Sequence, residues 1–240
     1  MKKSFRLTSL LSAYVLLLCC LLAAAVATSK VVTVLSQNAP ITGRTRIIID
    51  AGHGGVDGGA TSCTGVLESG INLEIAVKLN DLLHLLGYDT IMIRTTDTSI
   101  HTHGETIAAK KISDLKERVR IANQTEKAVL ISIHQNQFND SRYSGAQVFY
   151  ARTAGSEQLA KQMQTTFIQT LNPGSKRQVK KASGIYLMEH IQCTGVLIEC
   201  GFLSNPEEEA NLRKGEYQNN ICCVLASACS QYLQTLSANT

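Results

Sequence analysis

The sequence contains no tryptophan, and aromatic residues make up only 5% of it. A platform for stacking the bases of single-stranded nucleic acid is therefore not expected. Three prolines and 17 glycines in 240 residues exclude collagen-like and linker-dominated architectures. No CxxC pair occurs among the eight cysteines, so a thiolate zinc site has no support, and HExxH is absent as well. Hydrophobic residues make up 44% and charged residues 18%, which excludes a disordered chain. No internal repeat or low-complexity segment is found. The length fits one domain of ordinary size.

The net charge of +4 is concentrated at the start of the chain. Residues 1–27 carry Lys2, Lys3 and Arg6 and no acid, and without those three charges +4 becomes +1. A near-neutral domain gives no reason to expect a nucleic-acid partner. Leu10–Ala27 is almost unbrokenly apolar, and Ala25-Val26-Ala27 fits the small-x-small pattern before a signal-peptidase cut. The segment reads as a cleaved signal peptide or as an uncleaved anchor, since its 18 residues are at the short end for a membrane span. In either case the leader enters or crosses the membrane and the domain is exported, secreted or membrane-anchored. Leucines rather than small residues precede Cys19 and Cys20, which argues against a lipid-modified cysteine. Residues 28–45, polar and holding Pro40 and Gly43, read as a tether to a domain over 46–236.

The six cysteines beyond the leader are Cys63, Cys193, Cys200, Cys222, Cys223 and Cys229. A domain of this length builds a core without disulfides, so most of them read as small buried hydrophobes, although export permits a bridge.

The periodicity predicts strands at 46–50, 89–94, 128–134, 145–151 and 195–199, with a short one at 184–188. Helical spacing is read at 68–86, with Gly87 placed to end that helix, then at 156–171, 206–213 and 216–236. A further helix starts at Asp114, where Asp114 and Glu117 resemble a capping box. Alternating helices and apolar strands indicate an α/β fold, a single three-layer domain with a mostly parallel twisted sheet and helices on both faces.

In such sheets the site lies off the carboxyl ends of the strands, where His53, His134 and Glu199 fall. A single polar residue closing a buried strand is commonly an ordinary loop residue. Two imidazoles and a carboxylate at three strand ends instead satisfy one another around a cation, and zinc suits that donor set. Glu68 on its own reads as an acid at a helix N-terminus, favoured by the dipole.

Five blocks carry a resemblance: IIIDAGHGGVDGGA (47–60), LESGINLEIA (67–76), LKERVRIAN (115–123), ISIHQNQF (131–138) and VLIECGFLSN (196–205). In this order they resemble the zinc-dependent N-acetylmuramoyl-L-alanine amidases of the cell-wall hydrolase type. The resemblance covers essentially residues 46–234. It implies that His53, Glu68 and His134 bind Zn2+, that Glu199 is the catalytic acid/base, and that peptidoglycan is the substrate. Asp57 matches the acid after the GHGG turn, and Asn136 matches the Asn two residues after the second zinc histidine. Gly58 stands where the family often has Pro, and Gln135 where a small residue is common, which bears on loop stiffness and on the pocket wall. SIHQNQF with SRYSGAQVFY (141–150) resembles the spore-cortex members of endospore formers.

Three other readings remain open at this point. The fold carries a catalytically silent wall-binding or regulatory domain, a general wall-turnover amidase, or a cysteine hydrolase using Cys200 and His134. Strand alternation opposes the last, because Cys200 faces away if Glu199 faces the site. Asp57 reads as a holder of backbone N–H groups, Arg94 with Asp97 as a local pair, and Arg118 as a structural ion pair or loop anchor. His84, His101, His103 and His190 read as bystanders. Lys176–Lys181 holds four basic residues and reads as a solvated face or as a greeting surface for an anionic wall polymer.

Overall fold

The structure is a computed structural model and describes residues 45–238. The leader and nearly all of the tether lie outside the described residues. No helix among the described residues is long and apolar enough to cross a membrane.

The elements run β1 (Arg46–Ala51), α1 (Glu68–Leu85), β2 (Thr90–Met92), α2 (Ile107–Gln124), β3 (Ala128–Asn136), β4 (Gln147–Tyr150), α3 (Ser156–Thr170), β5 (Lys180–Lys181), α4 (Tyr186–His190), β6 (Thr194–Phe202), α5 (Pro206–Leu212) and α6 (Gly215–Ala238). The strands form one sheet in the order β2-β1-β3-β6-β4-β5. All pairings are parallel except β4 with β6. The mostly parallel α/β sheet read from the periodicity is thus observed, with β4 and β5 running opposite to the rest.

Both faces are covered, which is why the central strands are apolar along their length. On one face Ile47, Ile49, Ile131, Ile133, Val196 and Ile198 pack with helices α1, α3 and α6. On the other, Ile48, Leu130 and Leu197 pack with Ala122 of α2 and Leu187 and Met188 of α4. Gly87 (φ 82°) ends α1 as predicted: its N–H donates to the His84 carbonyl and that of Tyr88 to the Leu83 carbonyl.

Two expectations are corrected. Helix α2 begins at Ile107, with the Thr106 hydroxyl accepting from the Ala109 N–H at 3.2 Å. Asp114 lies inside it, and its carboxylate turns inward to Arg118 and to the Ile100 N–H at 2.7 Å. The stretch expected as a strand at 184–188 instead contains the start of helix α4 (Tyr186–His190), and the chain's extended pairing falls earlier, on Lys180 and Lys181. All six described cysteines are free thiols; Cys200, Cys222 and Cys229 are buried, while Cys63 and Cys223 are exposed.

Candidate metal centre and active site

Parallel pairing places the ends of β1, β3 and β6 side by side, with His134 in register with Glu199. Chain leaving β1 turns sharply at His53, whose φ of 60° lies in the left-handed region, which histidine tolerates better than branched residues do. Its carbonyl is fixed by Arg118, whose Nη2 donates to it at 2.7 Å. The fourth residue comes from α1, whose first residue is Glu68.

His53, Glu68 and His134 form a cluster whose ligand-type atoms all lie within 4.8 Å of one another. His53 Nε2 is 3.2 Å from Glu68 Oε2, and His134 Nδ1 is 3.0 Å from Glu68 Oε1. Donor atoms bound at ~2.1 Å around a tetrahedral zinc sit about 3.4 Å apart, so the cluster is close to the size such an ion requires. His53 and Glu68 also have outer partners. His53 Nδ1 meets Asp57 Oδ2 at 2.9 Å. Glu68 Oε2 accepts from the Ala60 N–H at 2.9 Å, and Oε1 accepts from the Asn72 side chain at 3.0 Å and the Gln135 N–H at 3.1 Å. Outer partners of this kind fix ring orientation and carboxylate direction.

Two glycines make the approach possible. A Cβ on Gly52 would overlap the His134 ring, and one on Gly59 would lie 2.5 Å from Glu68 Oε2 and 2.7 Å from His53 Cδ2. Donor chemistry, spacing and this glycine cradle all fit a zinc ion. For Glu68 the electrostatics agree, because a carboxylate must be deprotonated to ligate a metal. Burial opposes the Glu68 charge, yet hydrogen bonds to His134 and His53 hold its carboxyl far below the ordinary range. Burial likewise opposes the His53 charge, and the Glu68 and Asp57 carboxylates outweigh it to raise the imidazole.

Glu199 forms part of the wall of the same cleft, about 320 Å³, with His53, His134, Ile185 and Tyr186. Its Oε2 is shielded from solvent and has no hydrogen-bond partner among the described residues. Burial, reinforced by the Glu68 charge and opposed by His134 and His53, pushes its carboxyl up to about 7. Such a group holds or releases a proton near neutrality, as a general acid/base must. Cys200 points to the opposite face, is 1% exposed and packs in the core. Burial pushes its thiol well above the ordinary range, which removes the cysteine-hydrolase reading.

Asp57 does more than hold a turn: its contact to the Gly59 N–H is 3.4 Å, longer than that to His53, and Lys111 Nζ lies 3.1 Å away. Lys111, which the sequence reading passed over, lies on α2 and has no motif signal. Arg94 is structural, donating to the Ala51, Gly52 and Ser69 carbonyls at 2.8–2.9 Å, with Asp97 a distant 3.8 Å. Arg118 is the buried anchor expected. Asn136 lies at the end of β3, where its carbonyl accepts from the Leu203 N–H. Gln135 turns to Asn72, 3.1 Å away, on the face opposite the cleft, so it does not line that wall. His84, His101, His103 and His190 are absent from both the cluster and the cleft.

A family model described as N-acetylmuramoyl-L-alanine amidase matches residues 47–230. The chain is 37% identical over 195 residues to the germination-specific N-acetylmuramoyl-L-alanine amidase of Bacillus subtilis (strain 168), covering 80% of this chain and 81% of that protein. Among solved structures it is similar to the CwlD amidase from Clostridioides difficile in complex with the GerS lipoprotein, with a TM-score of 0.77 and 35% identity over 80% of this chain and 100% of that one. An N-acetylmuramoyl-L-alanine amidase from Clostridium difficile 630 matches with a TM-score of 0.70 and 30% identity, over 80% and 98% of the two chains.

Proposed function

Since this chain belongs to the N-acetylmuramoyl-L-alanine amidase family, we propose that His53, Glu68 and His134 hold a zinc ion and that Glu199 carries the proton in its reaction. The activity is hydrolysis of the amide joining N-acetylmuramic acid to the L-alanine of the peptidoglycan stem peptide. The observation that carries the assignment is Glu199 Oε2, a shielded carboxylate oxygen with no partner among the described residues, in the cleft that the histidines also line.

A zinc ion bound there supplies Lewis acidity to the scissile carbonyl and to the attacking water. The chain's own residues do the rest. Glu199 takes the proton of the water as the new C–O bond forms. It then gives that proton to the alanine nitrogen as the C–N bond breaks, leaving a lactyl carboxylate on the sugar and a free amino terminus on the peptide. Asp57 holds the His53 ring so that Nε2 faces the ligand cluster. Arg118 keeps the His53 backbone in its turn.

Action on spore cortex is the reading favoured for the biology, with the released sugar carboxylate going on to muramic lactam. Its support is the relative named for germination together with the SIHQNQF (132–138) and SGAQVFY (144–150) stretches. The basic and apolar N-terminal stretch (1–27) supports action outside the membrane. The lipoprotein bound to the CwlD amidase makes an extracytoplasmic protein partner part of the same reading.

The test is mass spectrometry of peptidoglycan incubated with the purified protein. Free stem peptides beginning with L-alanine are expected, lost on chelation and restored by zinc. Release of another fragment type, or full activity after chelation, refutes the assignment. A deletion strain with normal muramic-lactam content in its cortex refutes the biological role.

A further inference from the structure

Beside the catalytic cleft lies a second, larger groove of about 1020 Å³ that the reaction does not use. The cations on its wall are Arg142, Lys176, Arg177 and Lys180, against the acids Asp140 and Glu208. Both acids already have partners, and Asp140 takes Arg142 out of the free positive charge of the wall. Asp140 pairs with Arg142 at 2.6 Å, and Glu208 accepts from the Gly145 and Phe202 N–H groups, each at 2.8 Å. Arg177 is held in place, its Nε donating to the Ser144 carbonyl at 2.9 Å and its guanidinium lying over the Phe202 ring. Lys176 and Lys180 are exposed, and among the described residues neither has a carboxylate partner.

The sheet fixes where this charge lies relative to Glu199. Gln147 of β4 is in register with Glu199, and Phe149 of β4 with Lys180. Residues in register share a face and alternate residues share it too, so Lys180 emerges on the face that carries Glu199, and Lys181 on the other. Lys181 accordingly lines a different hollow, with Tyr150 and Lys161. With strands ~4.8 Å apart and ~3.4 Å per residue, the Lys180 and Glu199 Cα atoms lie roughly 12 Å apart. Three or four extended residues span roughly that distance. The chain that leaves the groove at Lys180 continues to Gly184–Leu187, which form a wall of the catalytic cleft.

We propose that Lys176 and Lys180, with Arg177 between them, form a subsite for the free carboxylates of the stem peptide downstream of the scissile alanine. The proposal rests on the amidase reading and adds to it a source of substrate preference. The stem peptide carries carboxylates beyond its first alanine, and about three or four extended residues cover the Lys180–Glu199 separation. Each exposed charge contact is expected to contribute roughly threefold in affinity, so two lysines give roughly tenfold.

The experiment uses soluble glycan strands bearing tetrapeptide stems, and the same strands with the stem carboxylates converted to amides. The parent protein is expected to favour the acid form in kcat/KM through a lower KM, and added salt should raise KM for that form only. The double variant Lys176→Ala/Lys180→Ala should lose most of the preference, whereas Lys181→Ala keeps it. The proposal is overturned if the parent shows no preference, if the double variant retains it, or if Lys181→Ala loses it equally. It is also overturned if the double variant loses only affinity for walls carrying a phosphate polymer, which would assign the cations to that polymer. Failure of the parent to cleave either substrate would instead reject the amidase reading itself.

Discussion

Replacing Arg118 with methionine tests the least forgiving element of the site. Arg118 is 2% exposed and is the shared partner of Asp50 and Asp114, which are 1% and 8% exposed. Its Nη1 bonds the Asp50 carboxylate, Nε reaches Asp114 Oδ2 at 2.5 Å, and Nη2 reaches the His53 carbonyl at 2.7 Å. Methionine fills much of the volume but leaves two buried carboxylates without their cation. Removing one partner of a buried pair costs about 3–5 kcal/mol, a large share of the ~5–15 kcal/mol that holds a domain folded. The pH dependence has a definite sign. In the parent, burial opposes the Asp50 charge, but Arg118 and the Ser132 hydroxyl outweigh it and lower its carboxyl below 3.8. That contribution is present above the unfolded value and is lost as pH falls through the lowered folded value. In the variant burial dominates, the carboxyl rises, and acidification relieves the cost instead. Urea denaturation near neutral pH should therefore show the full loss, and the gap between the two proteins should narrow by about pH 4. A loss below about 1 kcal/mol, or a gap that does not change with pH, would refute the reasoning.

Other outcomes follow from the same geometry. Glu199→Gln should lower amide turnover by ~10²–10⁴-fold while zinc content stays at the parent level. Cys200→Ala should keep most of the turnover and lose only stability, because the thiol faces the core; abolished turnover in a folded Cys200→Ala would reverse the two roles. Asp57→Asn should weaken zinc affinity by ~10–100-fold in a competition titration with a chelator, since it keeps the shape but loosens the hold on His53 Nδ1. Unchanged affinity would return Asp57 to a purely local role in its turn.

Much of this site was legible in the sequence because strand ends are legible. Buried parallel strands are apolar along their length, so a histidine or glutamate closing one stands out, and parallel pairing then brings such ends together. Glu68 was different. An acid opening a helix is ordinary, and only the matched motif blocks set it apart. What the sequence did not reveal depends on contacts between distant segments. Asp114 resembled a cap because the local pattern cannot show that its true partners, Arg118 and the Ile100 N–H, draw it inward. Lys111 carried no pattern, since its role comes from the position of Asp57, 54 residues away in sequence. Strand β5 has two residues, too few for any periodicity to register. The basic stretch at 176–181 was visible as charge, but its division between two hollows was not, because that division comes from pairing with β4.

One rule accounts for how the strands sort chemistry from support. Side chains alternate, so neighbours at the end of a strand go to opposite faces. On β6, Glu199 lines the cleft and Cys200 packs in the core. On β3, His134 lines the cleft, while Gln135 turns to the other face, where its N–H holds Glu68 at 3.1 Å and its side chain reaches Asn72 at 3.1 Å. Glu68 comes from a helix that packs on the core face, and its carboxylate reaches the histidines over the end of the sheet. The ligand cluster therefore joins the two layers that the strands otherwise separate. A slip of one residue in the pairing of β3 with β6 would turn either His134 or Glu199 away from the cleft and replace it with Gln135 or Cys200. The same shift would bring Ile131, Ile133, Val196 and Ile198 off the face they share with α1, α3 and α6. Packing of the sheet and the placement of Glu199 opposite His134 are thus consequences of a single register.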